Sequence, residues 1–249
     1  MLKALIFDVD GTLAETEDLH RQAFNRAFGA LGLPFAWTPD FYGELLAVMG
    51  GKERLAHYIE TFQAADAESL RGRLAEIHGL KTRVYGDLIE SGSLGLRPGV
   101  ARLIGEARAA GLRLAVASTT NRANIDALLR INFPKGDVPF PVIACGDEAA
   151  RKKPAPDVFD LAVSRLGVDR SEAIAFEDSA AGIRSALDAG LPVLATRSRY
   201  TASHCLDGAF SAVSDLGEPG APHRHIAGVE WPDGVVTLAA LRDWHARAV

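Results

Sequence analysis

Cysteine is nearly absent from this 249-residue chain, which carries only Cys145 and Cys205. Two thiols without metal-type spacing speak against a disulfide framework and against a zinc site. An excess of positive charge is missing too. The 32 acidic residues outnumber 27 basic ones, for a net charge of −5, which argues against nucleic acid or a membrane surface as partner. No apolar run approaches the roughly 20 residues that a membrane span needs. No leader-like segment precedes the first strand-like run, so a cytoplasmic protein is expected, as a monomer. Internal repeats and low-complexity tracts are lacking as well. What remains is the ordinary mix of a globular protein, 48% hydrophobic and 24% charged. The length suits one large domain or two smaller ones. On so acidic a chain, an anionic substrate would have to be met by local lysine and arginine.

Apolar runs of strand length recur: "ALIF" near the start, then residues 113–118, 141–146, 172–178 and 191–196. Helix-like segments separate the later ones, at 99–110, 121–130, 156–166 and 179–189. Gly111, Gly167 and Gly190 stand at helix-stop positions. Continuous apolar strands alternating with helices predict an α/β fold, a Rossmann-like parallel sheet with helices on both faces. The first strand breaks that rhythm. After it come about eighty residues of helical pattern, with segments such as 45–62 and 70–89. The economical reading is a helical cap domain, residues 15–94, inserted into a core made of 1–14 and 95–249. Residues 13–16 and 92–97 would then be paired hinges. The tail after Asp215 reads as loop-rich, with a short helix at 238–248.

The strand ends carry the chemistry. In an open parallel sheet, ligands bind beyond the carboxyl ends of the strands. The first strand delivers Asp8 and Asp10, the second Ser118 and Thr119. "ARKKPAPD" follows the third strand with Lys152 and Lys153, and the fourth delivers Glu177 and Asp178 with Ser179 at a helix start. Acids beside an apolar strand repel each other and lose hydration unless a positive group joins them. Converging carboxylates make an oxygen-rich site for a hard cation, most simply Mg²⁺. A lysine, a serine and helix N-termini beside it form a socket for a phosphoryl group.

"DVDGT", Ser118, the "KKP" lysine and "EDS" resemble, in order, the four motifs of the haloacid dehalogenase superfamily, and the helical insert lies where that family places its small cap. "DVDGTLAETEDLHRQAF", "GGKER", "IHGLKT" and "KKPAPD" are similar to the CbbY-type phosphatases of bisphosphorylated pentuloses, notably xylulose 1,5-bisphosphate. The resemblance implies Asp8 as nucleophile, carrying an aspartyl-phosphate, and Asp10 as acid and base. It implies Mg²⁺ held by Asp8, the Asp10 carbonyl, Asp178 and Glu177, with Ser118, Thr119 and Lys153 on the transferring phosphate. In the cap, Thr16 and His20 share a helix face, Glu17 is placed to reach sugar hydroxyls, and Tyr42 and Gly51 are expected to line the pocket. Arg54, with Lys52, is the candidate for a second phosphate, because a guanidinium fork suits phosphate. The expected partner is a small phosphorylated sugar.

Plainer readings stand beside these. His20 can be a packed histidine, Arg54 and Lys52 solvated charges, Tyr42 a cap-core aromatic and Ser118 a helix cap. Glu177 can back the site without touching a metal, and one of the paired lysines is a surface residue. His57, His78, His204, His223, His225 and His245 show no ligand spacing. Rival functions are a β-phosphoglucomutase-type phosphosugar mutase and a phosphoglycolate phosphatase, which the motifs alone do not separate. Asp10 speaks against a dehalogenase, and the inserted cap against a receiver-like signalling domain. The proline-rich stretch 130–146 and the long tail depart from the pentulose-bisphosphate pattern.

Overall fold

The computed structural model describes residues 1–63, 66–92, 94–134 and 136–248. Strand β1, Ala4–Phe7, is buried along its whole length. It lies between the parallel strands β2, Arg113–Ala117, and β4, Ala173–Glu177, with Phe7 opposite both Val116 and Phe176. Strand β3, Val142–Ala144, pairs with β2, and β5, Val193–Thr196, pairs with β4. Two further strands complete the sheet, β6, Ser211–Val213, and the antiparallel edge strand β7, His225–Gly228. The order is β3-β2-β1-β4-β5-β6-β7.

Continuous apolar strands still obey a period of two. Leu5, Phe7, Leu114 and Val116 belong to one core layer, against α6, Val100–Ala109, α7, Arg122–Asn132, and α10, Leu238–Ala248. Ala4, Ile6, Ala115 and Ala117 belong to the other, against α8, Asp157–Leu166, and α9, Ala180–Asp188. Phe7 stacks on Phe176 with centroids 4.4 Å apart, tying neighbouring strands of the first layer. Helix α8 buries Val158, Phe159, Ala162, Val163 and Leu166, a stripe at helical spacing, and Gly167 ends it at φ 63°.

Among the described residues, five helices lie between β1 and α6: α1, Glu17–Ala30, α2, Pro39–Leu45, α3, Gly51–Phe62, α4, Ala67–Gly72, and α5, Leu74–Ser91. They close over their own core of Phe24, Phe28, Trp37, Tyr42, Leu55, Tyr58, Ile59 and Ile77. The predicted helical segments 45–62 and 70–89 are each divided. The first breaks because Gly50 takes φ 92°, outside the helical region. The second breaks at Arg73, between α4 and α5. Of the two expected hinges, Ser93 in the second lies outside the described residues. The rest of that segment returns to the first, where the Arg97 amide donates to the Leu13 carbonyl at 2.8 Å.

The tail is more structured than its composition suggests. Strand β7 lies in it and β6 just before it; at four and three residues both are too short for a periodicity signal. Trp231 donates to the Ser211 hydroxyl at 2.8 Å, and Trp244 stacks on Phe210 at 3.6 Å. Among the described residues, no helix is long and apolar enough to cross a membrane. The tail also packs on the start of α6, where Gly99 has φ 79° and a Cβ would run into Leu216 and the Gly217 carbonyl. Gly99→Ala is therefore expected to cost about 1–3 kcal/mol of stability. Urea denaturation should show a lower midpoint at unchanged slope.

Candidate active site

Because β1 sits between strands that run off to either side, the residues just after it face the crevice where ligands enter such sheets. The Asp8 amide still donates to the Phe176 carbonyl, at 3.0 Å, so the backbone carries the carboxylate out at a set point. Gly11 then turns at φ 81°, and a Cβ there would overlap the Asp178 carboxylate. On β4, Glu177 and Asp178 end the strand, and Ser179 caps α9 by accepting from the Gly182 amide at 3.1 Å. Gly182 has a second reason to be glycine, since its Cβ would occupy the space of the Glu177 carboxylate.

Lys153 holds these acids together. Its ammonium donates to Asp8 Oδ1 at 2.6 Å, to Glu177 Oε1 at 2.5 Å and to the Ala117 carbonyl at 3.0 Å. Burial alone would depress its pKa, but the Asp8 and Glu177 carboxylates outweigh burial and raise it. One ammonium does not balance three acids. Burial, with repulsion from Glu177 and Asp10, pushes Asp8 up to about 8 despite Lys153. Burial, with repulsion from Glu177 and Asp8, raises Asp178 as well. Among the described residues, Asp8, Glu177 and Asp178 form the one group offering carboxylate oxygens within 4.8 Å of one another. An uncompensated cluster of hard oxygen donors suits a divalent cation such as Mg²⁺. Glu177 is the exception within it. Its Oε1 takes Lys153, and its Oε2 accepts from the amides of Asp178 and Ser179.

Asp10 belongs to a different circuit. The Thr16 hydroxyl donates to its Oδ1, and His20 Nε2 lies 3.0 Å from the same oxygen. His20 Nδ1 faces the Lys81 ammonium at 2.8 Å, and the imidazole stacks on Tyr85 at 4.0 Å. An ammonium only donates, so Nδ1 accepts and the Nε2–H points at Asp10. Burial and Lys81 hold the His20 pKa down. Burial opposes ionisation of Asp10, but His20, Thr16 and Thr120 overcome it and hold Asp10 low. Burial brings Lys81 itself down to about 7, Asp10 and Glu17 opposing.

Above this floor is a cavity of about 580 Å³. Asp8, Asp10, Ser118, Thr119, Glu177 and Asp178 line it from the core. Glu17, His20, Gly51, Lys52, Arg54, His78 and Lys81 line it from the cap. Arg54 is buried, donating to the Tyr42 hydroxyl at 2.8 Å and to the Leu45 carbonyl at 3.2 Å. The Tyr42 hydroxyl in turn donates to Glu17 Oε2 at 2.7 Å. Of the expected residues, Thr16, Tyr42 and Lys153 stand behind the wall. Tyr42, expected as lining, is fully buried among cap aromatics and meets the cavity through Arg54 and Glu17. Lys153, expected on the phosphate, has all three of its N–H donors on protein oxygens. Lys152 reaches the wall, but its ammonium turns to the Gly146 carbonyl.

Sequence reasoning passed over His78 and Lys81. They lie three residues apart on α5, hence on one helix face, within the "IHGLKT" segment already singled out. Their proximity to His20 and Arg54 belongs to the packing of α5 against α1 and α3 and leaves no trace in spacing.

The haloacid dehalogenase-like hydrolase model matches residues 2–190. Protein CbbY of Rhodobacter capsulatus is 51% identical over 217 residues, covering 86% of this chain and 94% of that protein. The plasmid-encoded CbbY of Cupriavidus necator is 44% identical over 255 residues, covering 98% and 97%. Among solved structures, a CbbY variant from Rhodobacter sphaeroides in complex with xylulose 1,5-bisphosphate superposes with a TM-score of 0.80. It is 42% identical, with 88% of this chain and 97% of that one covered.

Lys81 gives a stability test. Its folded pKa lies below the usual lysine value of 10.5, so the unfolded chain binds the extra proton between those values and stability rises with pH there. The cost of burying the charge is complete below about 7 and gone above about 10.5. Lys81→Met is expected to gain on the order of a few kcal/mol at pH 6, and the gain should shrink by pH 9. Urea denaturation at the two pH values checks this.

Proposed function

Because the chain belongs to the haloacid dehalogenase-like hydrolases, we propose that it is a phosphatase of a small sugar bisphosphate, most simply xylulose 1,5-bisphosphate, working through an aspartyl-phosphate on Asp8. The observation that carries this reading is one cavity with anion-binding groups at both ends. The floor offers Asp8 beside a cation site, with Ser118 and the Thr119 amide. The cap wall offers Arg54, Lys52 and Lys81. The relative of known structure that binds a pentulose bisphosphate has the same fold at 42% identity.

In this reading a carboxylate oxygen of Asp8 forms the new bond to phosphorus as the bond to the ester oxygen breaks. Mg²⁺, when bound by Asp8, Asp178 and the Asp10 carbonyl, would offset the charge between nucleophile and phosphate. Glu177 has an indirect part, holding Lys153 against Asp8. Lys153 acts by its charge, fixing one Asp8 oxygen and leaving the other for attack. His20, Thr16 and Thr120 hold Asp10 in its ionised form. A phosphate dianion beside it raises its proton affinity, so it enters the first step as the acid. It protonates the departing oxygen, then takes a proton from the water that cleaves the aspartyl-phosphate. His20 and Thr16 aim its carboxylate for both transfers. Glu17, oriented by Tyr42, accepts from sugar hydroxyls, and Arg54 takes the second phosphate.

Phosphate release with Mg²⁺ and with EDTA tests the reading, on xylulose 1,5-bisphosphate, ribulose 1,5-bisphosphate, 2-phosphoglycolate and β-glucose 1-phosphate. Metal-dependent release strongest on xylulose bisphosphate is expected. A sugar phosphate converted to its isomer without release would indicate a mutase instead. Asp8→Asn should lower turnover by at least about 10⁴-fold with the circular dichroism spectrum unchanged. Arg54→Ala should reduce kcat/KM on the bisphosphate by about 10²-fold, the loss of a charged hydrogen-bonding partner. It should leave para-nitrophenyl phosphate, which has no second phosphate, within a few-fold of the unaltered enzyme.

A further inference from the structure

The loop from β5 to β6 carries adjacent residues that reach in opposite directions. Thr201 Oγ1 donates to Asp178 Oδ2 at 3.3 Å, in the acidic floor, and accepts from the Ser198 amide at 3.0 Å. The Ser198 and Thr201 hydroxyls lie 3.0 Å apart, which closes a tight turn beneath Asp178. Tyr200, one peptide bond away, points at the cap. Its hydroxyl donates to Asp18 Oδ1 at 3.1 Å, in the first turn of α1. Its ring stands edge-on to Tyr42 with centroids 5.8 Å apart.

Both contacts have firm footings. Asp18 is held on its own helix by Arg21 and Gln22, each at 2.9 Å, so Tyr200 meets a carboxylate already in place. Tyr42 is the link between Arg54 and Glu17. A second crevice of about 430 Å³ opens on the outer side, lined by Pro39, Asp40, Gly43 and Glu44 of the cap and by Tyr200 and His204 of the core. Tyr200 and His204 also border the main cavity. The tyrosine is thus the partition between the enclosed space and the outer crevice.

We propose that Tyr200 is a positioning residue that latches the closed cap onto the core and, through Thr201, ties closure to the placement of Asp178. The inference rests on the phosphatase reading for its kinetic consequence only. Swinging α1 away from the core breaks the Tyr200–Asp18 bond and removes the ring from Tyr42. The same movement frees the turn that supports Asp178. A closed cap therefore favours an ordered acidic floor, and an ordered floor favours closure, which is reciprocal coupling between two ends of one loop. A substrate that engages both the cap wall and the floor gains at both ends; one that engages only the floor gains from the ordering of Asp178 alone.

The test uses Tyr200→Phe, which deletes the hydroxyl and keeps the ring, in the full chain. Hydrogen–deuterium exchange without ligand is compared with the unaltered protein over residues 17–22 and 176–181, and the latch predicts faster exchange in both. KM for xylulose 1,5-bisphosphate should rise about tenfold, the scale of a hydrogen bond to a charged group. Turnover of para-nitrophenyl phosphate, which feels only the loosened support of Asp178, should fall by clearly less than kcat/KM on the bisphosphate. Unchanged exchange in either segment, or equal loss on both substrates, overturns the proposal. If the unaltered protein hydrolyses neither substrate, the phosphatase reading fails, and the exchange comparison still decides the latch.

Discussion

A single buried ammonium, Lys153, joins two carboxylates that stand at the ends of neighbouring strands in the middle of the sheet. Without it, Asp8 and Glu177 would be like charges taken out of water side by side, a state that costs several kcal/mol for each ion. With it, the ends of β1 and β4 are clamped at their polar tips as Phe7 and Phe176 clamp them in the core. The clamp still leaves the cluster acid-rich, since Asp178 adds a third carboxylate. That surplus of carboxylate oxygens is what suits the floor to a divalent metal ion. The small residues around it follow from the same constraint: Gly11 and Gly182 are places where a methyl group would displace a carboxylate.

The cap answers the floor with the opposite charge. Arg54 and Lys81 are buried where burial costs most, and each is placed to keep its charge near an acid or an aromatic face. Lys81 stands 5.0 Å from the centroid of Phe24 and 5.1 Å from that of Tyr85. A buried cation held this way is available to an incoming anion without first losing water. Division of labour follows. On the proposed reading, core residues meet the phosphate ester and the cap wall reads what else the molecule carries.

The two parts are joined through one buried guanidinium. Arg97 donates to the carbonyls of Gly11, Thr196, Arg197 and Ser214, and its Nε pairs with Glu15 at 3.1 Å. One side chain therefore binds the loop after β1, the first connection to the cap, the end of β5 and the segment after β6. The tail, which a compact core would not need, is drawn into this arrangement by its contacts with Gly99 and Arg102.

The sequence by itself determined the strand-ending acids, the alternation that makes a parallel sheet, and the helical insertion after β1. These are local matters: a run of apolar residues, a glycine at a turn, an acid one position past a strand. It also marked His20, Glu17 and Arg54, because short segments carried them in recognisable order. The short strands β6 and β7 went unread because three or four residues hold too little pattern to outweigh a loop-like composition. Only the tertiary structure decided that Lys153 spends its three donors inside the protein, that Tyr42 works from behind Arg54, and that Lys81, 61 positions from His20 along the chain, presses its charge against that imidazole. Such pairings depend on how helices and strands pack, and the direction of a buried side chain is set by neighbours distant in sequence.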